Sequence, residues 1–412
     1  MSFIENGVIR LGIDLNLGGA ITWLSRSGGE NIVNSWDLGR QIQMSHYSGP
    51  VPFSVGENRP EKHWAHLGWN PIQAGDDYGH GSRTVEHQND SRSLHTVCAP
   101  MQWPLDDVPA ECVFETWLEL DGPVVQMRCR MRNDRSDAKQ YLARGQEMPA
   151  VYLNAPFHKV LSYTGARPFT NDAVSEIPRQ ASNPNAWSNW LATERWSALV
   201  NDEGWGLGLW NPSCIQFGGG FAGKAGPNNP RSSGTGYITA QSVEILDHNI
   251  EFEYHCELIL GTVAEIRSRV LGHGRAPPPA WHFDHDRQGW HYVNATDEGW
   301  PIKDMLRVRL EENDPQVVGP AICINAGDFS KVMIDAAFIT RHQTAEFFWF
   351  RHDGTFASLR FPITGDGQMR RHEIRLADSP DWRGVVVRLR FDPVPDGALG
   401  EQVEVKSIAL ER

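Results

Sequence analysis

Apolar and polar residues alternate through most of the chain in short runs, and each run ends at Gly, Asn, Asp or Pro. The clearest runs are Val8 to Leu15, Cys112 to Leu120, Val124 to Met131, Ile250 to Leu260, Lys331 to Phe338, Ala345 to Phe350 and Val385 to Phe391. A period of two means a strand with one buried face, so the pattern predicts an all-β chain. Trp196 to Val200 and Trp205 to Trp210 flank Asn201-Asp-Glu-Gly204, which predicts a hairpin. Val263 to Leu271 is the best helix candidate. Gly272 to Ala280 carries two Gly and three consecutive Pro. Such a stretch cannot donate to a sheet and stiffens as polyproline II. It places a linker at 273–280 between a large two-sheet domain (1–272) and a sandwich or jelly roll (281–412).

The chain has 412 residues and a formal net charge of −13, without a Lys/Arg run. That disfavours nucleic acid, whose phosphates need a basic face. No run approaches the ~20 apolar residues of a spanning helix, so no membrane partner is expected. The N-terminus lacks a basic stretch followed by an apolar one, which predicts a cytoplasmic protein unless a leader has been trimmed. Cys98, Cys112, Cys129, Cys214, Cys256 and Cys323 form no CxxC pair, so neither a disulfide framework nor structural zinc is expected. His63 and His66 are spaced as metal ligands but lack a clear third partner; no metal site and no cofactor are expected. Gly218-Gly-Gly220 reads as a flexible loop, not a phosphate-binding motif.

The segment Gly7 to Leu24 is a strand, a Gly-Gly turn and a second strand. It is followed by Asn31-Ile-Val-Asn34 and Asp37-Leu-Gly-Arg40. Together with Trp196 to Trp210, this order resembles galactose-mutarotase-like domains. The resemblance implies a β-supersandwich, a fold found in sugar epimerases, glycoside hydrolases and polysaccharide lyases. The His-containing epimerase motifs are not found, so epimerase chemistry is not carried over. From Trp281 onward, a Trp-rich start, apolar and aromatic strands and Gly400-Glu-Gln-Val-Glu-Val-Lys-Ser-Ile-Ala-Leu410 resemble the galactose-binding-like jelly rolls appended to carbohydrate-active enzymes. Trp290, Trp300 and Trp349 could form a sugar platform there, and Asp284 with Asp286 could hold a structural calcium.

Four polar segments interrupt the apolar pattern of the first domain. Arg40 to Gly49 alternates Arg40, Ile42, Met44 and His46 against Gln41, Gln43, Ser45 and Tyr47. Arg40, Gln43, His46 and Tyr47 are candidates to bind hydroxyls or carboxylates. The loop Gly68 to Ser82 adds Trp69, Asn70, Gln73, Asp76, Asp77 and His80: a ring to stack and polar groups to fix hydroxyls. In Arg144 to Tyr152, Glu147 sits beside apolar residues that would raise its pKa, as a general acid requires. Asn185 to Trp196 offers Trp190, Glu194 and Trp196 as a cleft wall. For each segment the competing explanation is a turn, an edge strand, a salt bridge or a core corner.

These features predict a carbohydrate-active enzyme acting on an oligosaccharide, polysaccharide or other glycoside. A glycoside hydrolase is expected, with Glu147 and Asp76 or Asp77 as its carboxylate pair and His80 as a further proton-transfer group. A lyase or epimerase using His and Tyr is the alternative enzyme, and a sugar-binding protein the alternative without catalysis.

Overall fold

The structure, a computed structural model, describes residues 1–179 and 187–412. Asn185 and Ala186, the start of the fourth polar segment, lie outside the described residues. The fold is all-β: among the described residues it has antiparallel sheets and one α-helix, Val263–Gly272. The helix opens on a capping box, with the Thr262 hydroxyl accepting from Glu265 N and the Glu265 carboxylate accepting from Thr262 N. Each run singled out by alternation is a strand, for example Cys112–Asp121, Val124–Asn133 and Thr344–Arg351. Trp196–Val200 and Trp205–Trp210 pair as the predicted hairpin.

The chain forms two compact units. The first, residues 1–137, 145–242 and 250–275, contains a ten-stranded and a nine-stranded antiparallel sheet. The second, 138–144, 243–249 and 276–412, has two six-stranded sheets. Two short segments within the expected first domain therefore belong to the second unit. They supply Gln140 and Asp247 to a buried cluster in which Arg287 bonds Asp247 at 2.6 Å and Asp297 at 2.7 Å. The aromatic platform expected in this unit is corrected: Trp290 and Trp349 are fully buried, and Trp300 packs against the same core. An indole with one polar atom satisfies a sandwich core once that atom is bonded, as Trp349 Nε1 is by Asp381 O.

Gly218–Gly220 is also corrected. It is not a loop but the middle of the strand Gln216–Ala222, paired on both sides. Three glycines carry no alternation signal, so the pattern could not reveal the strand.

Candidate functional site

The ten-stranded sheet runs, over the strands that matter here, Ile42–Ser45, Arg144–Asn154, Thr235–Glu244, Gln216–Ala222 and Trp187–Leu191. Alternation gives each strand one face toward the nine-stranded sheet and one face away from it. From Ile42–Ser45 and its continuation, Met44 and His46 enter the core. Thr116 Oγ1 lies 3.6 Å from Met44 Sδ, and Phe114, Phe252 and Tyr254 present edge-on rings to His46. Ser45 and Tyr47 occupy the opposite, outer face.

Glu147 joins them there. It pairs with Ser45 in register, and the ladder then shifts before Ala150 meets Gln43. Pro149 lies in the shift; it has no N–H to give the ladder, and an irregularity at this point re-aims neighbouring side chains. The Tyr47 hydroxyl donates to Glu147 Oε2 at 3.0 Å, and the Tyr237 hydroxyl donates to Oε1. Burial pushes the Glu147 carboxyl above the usual carboxylate range, and hydrogen bonds from Ser45, Tyr237 and Tyr47 oppose that shift. Burial, and next the charge of Glu147, hold Tyr47, Tyr152 and Tyr237 as neutral phenols.

The rings beside Glu147 form a continuous apolar surface. Tyr152 stacks on Tyr237 with centroids 4.5 Å apart, and Trp187 tilts onto Tyr237 at 4.9 Å. Asp37 and Arg40 stand close to Tyr152, whose phenol feels both charges as well as that of Glu147. Arg40 pairs with Asp37 at 3.0 Å and donates to Ser233 O at 2.9 Å. Burial raises the Asp37 carboxyl; Arg40 opposes the rise and Asp77 adds to it. One face of the sheet thus presents a protonatable carboxyl, three phenols, an indole and an Asp–Arg pair.

Of the residues singled out in the sequence, Glu147, Tyr47 and Arg40 meet at this surface. Asp77 borders it, through its field on Asp37, and accepts from Trp64 Nε1 at 2.6 Å. The rest are corrected. His46 is fully buried among aromatic rings and cannot reach a ligand. Gln43, Gln73 and Asn70 are buried amides that satisfy backbone: Gln43 Oε1 accepts from Ala74 N, Gln73 Oε1 from Met44 N, and Asn70 Nδ2 donates to His46 O. Buried backbone groups must be paired, which is why amides are found there. Trp69 is buried beneath the Arg135 guanidinium, 4.9 Å from its ring. Trp196 and Glu194 are buried together, with Trp196 Nε1 donating to Glu194 and Arg267 pairing with it at 2.8 Å.

Trp190 lies three residues beyond Trp187, hence on the opposite face of the strand from the ring that meets Tyr237. Asp76 is a loop staple whose oxygens accept from Tyr78 N, His80 N and Asp107 N and bond the His80 ring at 2.9 Å. Ligand atoms of Asp76, His80 and Asp106 lie within 4.8 Å of one another, a group that could hold a metal ion. Sequence reasoning missed Asp37, Tyr152, Tyr237 and Trp187. Asp37 was visible as the first residue of Asp37-Leu-Gly-Arg40, but nothing in its loop told which side chains it would meet.

The position of His46 has a measurable consequence. Burial lowers its pKa to about 3, against about 6.5 in an unfolded chain. Between these values the unfolded state binds a proton that the folded state refuses. Stability is therefore lost as pH falls from about 6.5 toward about 3. His46→Phe is expected to flatten this acid loss in urea unfolding followed at several pH values. An unchanged slope between wild type and variant would contradict the buried neutral imidazole.

No protein-family model and no curated protein sequence matches the chain. The chain is similar in fold to galactose mutarotase-like proteins. One such protein, from Lactobacillus casei, shares 12% identity at TM-score 0.39, over 63% of this chain and 99% of its own. Another, from Clostridium acetobutylicum, shares 9% identity at TM-score 0.37, over 63% and 95%. The 4-alpha-glucanotransferase of Thermococcus litoralis shares 12% at 0.35, over 62% of this chain but 37% of its own. At this distance the chemistry of those proteins does not transfer. No described helix is long and apolar enough to cross a membrane.

Proposed function

We propose that this protein is a carbohydrate-active enzyme, a glycoside hydrolase, with its sugar bound on the outer face of the ten-stranded sheet. The observation that carries the proposal is Glu147, a half-buried carboxyl with raised pKa, held by phenols beside a surface of aromatic rings. A carboxyl whose pKa is raised by burial holds its proton more firmly and can give it to a departing sugar oxygen. Asp37, whose carboxyl is also raised by burial, is the second carboxylate in this reading and takes the place expected for Asp76 or Asp77. Arg40 positions Asp37, and Trp187 with Tyr237 offers ring faces to a pyranose.

A second reading is favoured by the two phenols on one carboxylate. Tyr47 and Tyr237 could pass protons in a lyase or epimerase. Product analysis decides between the readings. A new reducing end without ultraviolet absorbance supports hydrolysis, an absorbing unsaturated uronate supports elimination, and an isomer of unchanged mass supports epimerisation. Sugar bound without any product would leave a binding protein.

The phenols also predict a pH effect. Each donates a hydrogen bond that stabilises the ionised form of Glu147, so removing one raises its pKa further. If Glu147 is the acid, the alkaline limb of kcat/KM is expected to move to higher pH in Tyr237→Phe. A limb that stays in place, or moves down, argues against Glu147 as the titrating acid.

A further inference from the structure

The three glycines of the Gln216–Ala222 strand remain without a role in the site described so far. Gly220 pairs with Trp187 on one side and Tyr237 on the other, and Gly218 pairs with Asn189 and Thr239. The strands carrying Trp187 and Tyr237 are two spacings apart, about 9.6 Å. Their ring centroids are nevertheless 4.9 Å apart. Both rings lean inward over Gly220, where there is no side chain to hold them upright.

The same occurs one pair along. A Cβ placed on Gly218 would lie 2.7 Å from Gln241 Nε2 and 2.9 Å from Asn189 Oδ1, so these two amides lean over Gly218. Gln216 Nε2 approaches Gln241 Oε1 at 3.5 Å and brings a third amide to the group. Asn189 is exposed, and Gln216 and Gln241 are half-buried. The glycines thus lay a flat plate of ring faces and amide edges across the sheet, continuous with Glu147 through Tyr237.

We infer that this plate is an extended subsite, with Trp187 and Tyr237 stacking one sugar ring and Asn189, Gln216 and Gln241 bonding the hydroxyls of another, so that the substrate is a neutral oligosaccharide chain. The inference rests on the proposed function and adds to it the length and charge of the ligand. Length follows from reach: Tyr47 to Trp187 spans four strand spacings, about 19 Å, which a single pyranose does not cover. Neutrality follows from the groups present. Amides offer paired donors and acceptors that suit hydroxyls. Among the described residues placed at this surface, the charges are the carboxyls of Glu147 and Asp37, with Asp77 at the border, and the adjacent cation, Arg40, is held by Asp37. A uronate chain would meet these carboxylates, with Arg40 already paired to Asp37.

The experiment is titration of Glu147→Gln with neutral gluco-, manno-, galacto- and xylo-oligosaccharides of one to six units, followed by tryptophan fluorescence and calorimetry. The expected result is affinity for one series that rises by about tenfold or more from one unit to four. Asn189→Ala with Gln241→Ala is expected to cancel most of that gain while leaving monosaccharide affinity alone. In active protein the amide variants are expected to raise KM for long chains and to leave kcat near wild type. Affinity independent of length, tighter binding of uronate chains, or no binding of any series overturns the inference. Length-dependent binding without turnover retains the subsite and removes the hydrolase reading, so the two failures are distinguishable.

Discussion

Replacing Glu147 by Gln is expected to lower turnover by about 10²- to 10⁴-fold, the range removed with a general acid. The substitution preserves shape and deletes only the proton that Glu147 would deliver as the proposed acid. Tyr47 and Tyr237 now donate to the two carboxylate oxygens. A phenol can also accept, so the hydroxyl facing the new NH₂ group turns and the local packing survives. The expected signature is therefore a collapse of kcat with ligand affinity and thermal stability close to wild type. A rate within about threefold of wild type would remove Glu147 from the chemistry.

The second large effect concerns stability. Glu194 is fully buried and accepts from Arg267 Nε at 2.9 Å, Arg267 Nη2 at 2.8 Å, Phe169 N at 2.9 Å and Trp196 Nε1 at 3.1 Å. Arg267→Met leaves that carboxylate without a countercharge and is expected to cost about 3–5 kcal/mol in denaturant unfolding. Adding Glu194→Gln should recover part of the loss, because the buried charge is then gone. If Arg267→Met instead costs under about 1 kcal/mol and weakens sugar binding, Glu194 belongs to a ligand site and not to the core.

Alternation made the scaffold legible because each strand has a dry face and a second face that its sequence marks as polar or mixed. It also divided Met44 to Tyr47 into the two faces that the structure has, although Arg40, grouped with His46 by alternation, lies before the strand and stands at the outer surface. What it could not say was that Ile42 and Met44 make the His46 face the dry one, nor that Gln43, on the other face, is covered by the backbone of Leu38 and Ala74. Glu147 was legible for a local reason: a carboxylate among apolar neighbours is desolvated wherever the strand lies. Which residues would bond it was not, since Tyr47 and Tyr237 come from segments on either side of its strand whose order in the sheet is a long-range fact. Trp69, Trp196 and Glu194 misled for the opposite reason. Polar sequence neighbours suggested exposure, but Arg135 covers one ring and Arg267 neutralises the carboxylate. A loop of Asp and Gly such as 74–82 looks the same whether its carboxylate meets substrate or, as Asp76 does, its own backbone.

The Arg287 cluster bears on how the second unit can be excised or recombined. Its cation is balanced by Asp297, which follows the Pro-rich stretch, and by Asp247, which precedes it; Gln140 bonds both carboxylates. A fragment cut at that stretch would retain the guanidinium and lose half of its counterions, although the cut looks harmless in the sequence. Exchange of this unit between proteins is therefore not a matter of splicing one contiguous cassette: three pieces of chain must travel together, and a cut at the Pro-rich stretch frees only one of them.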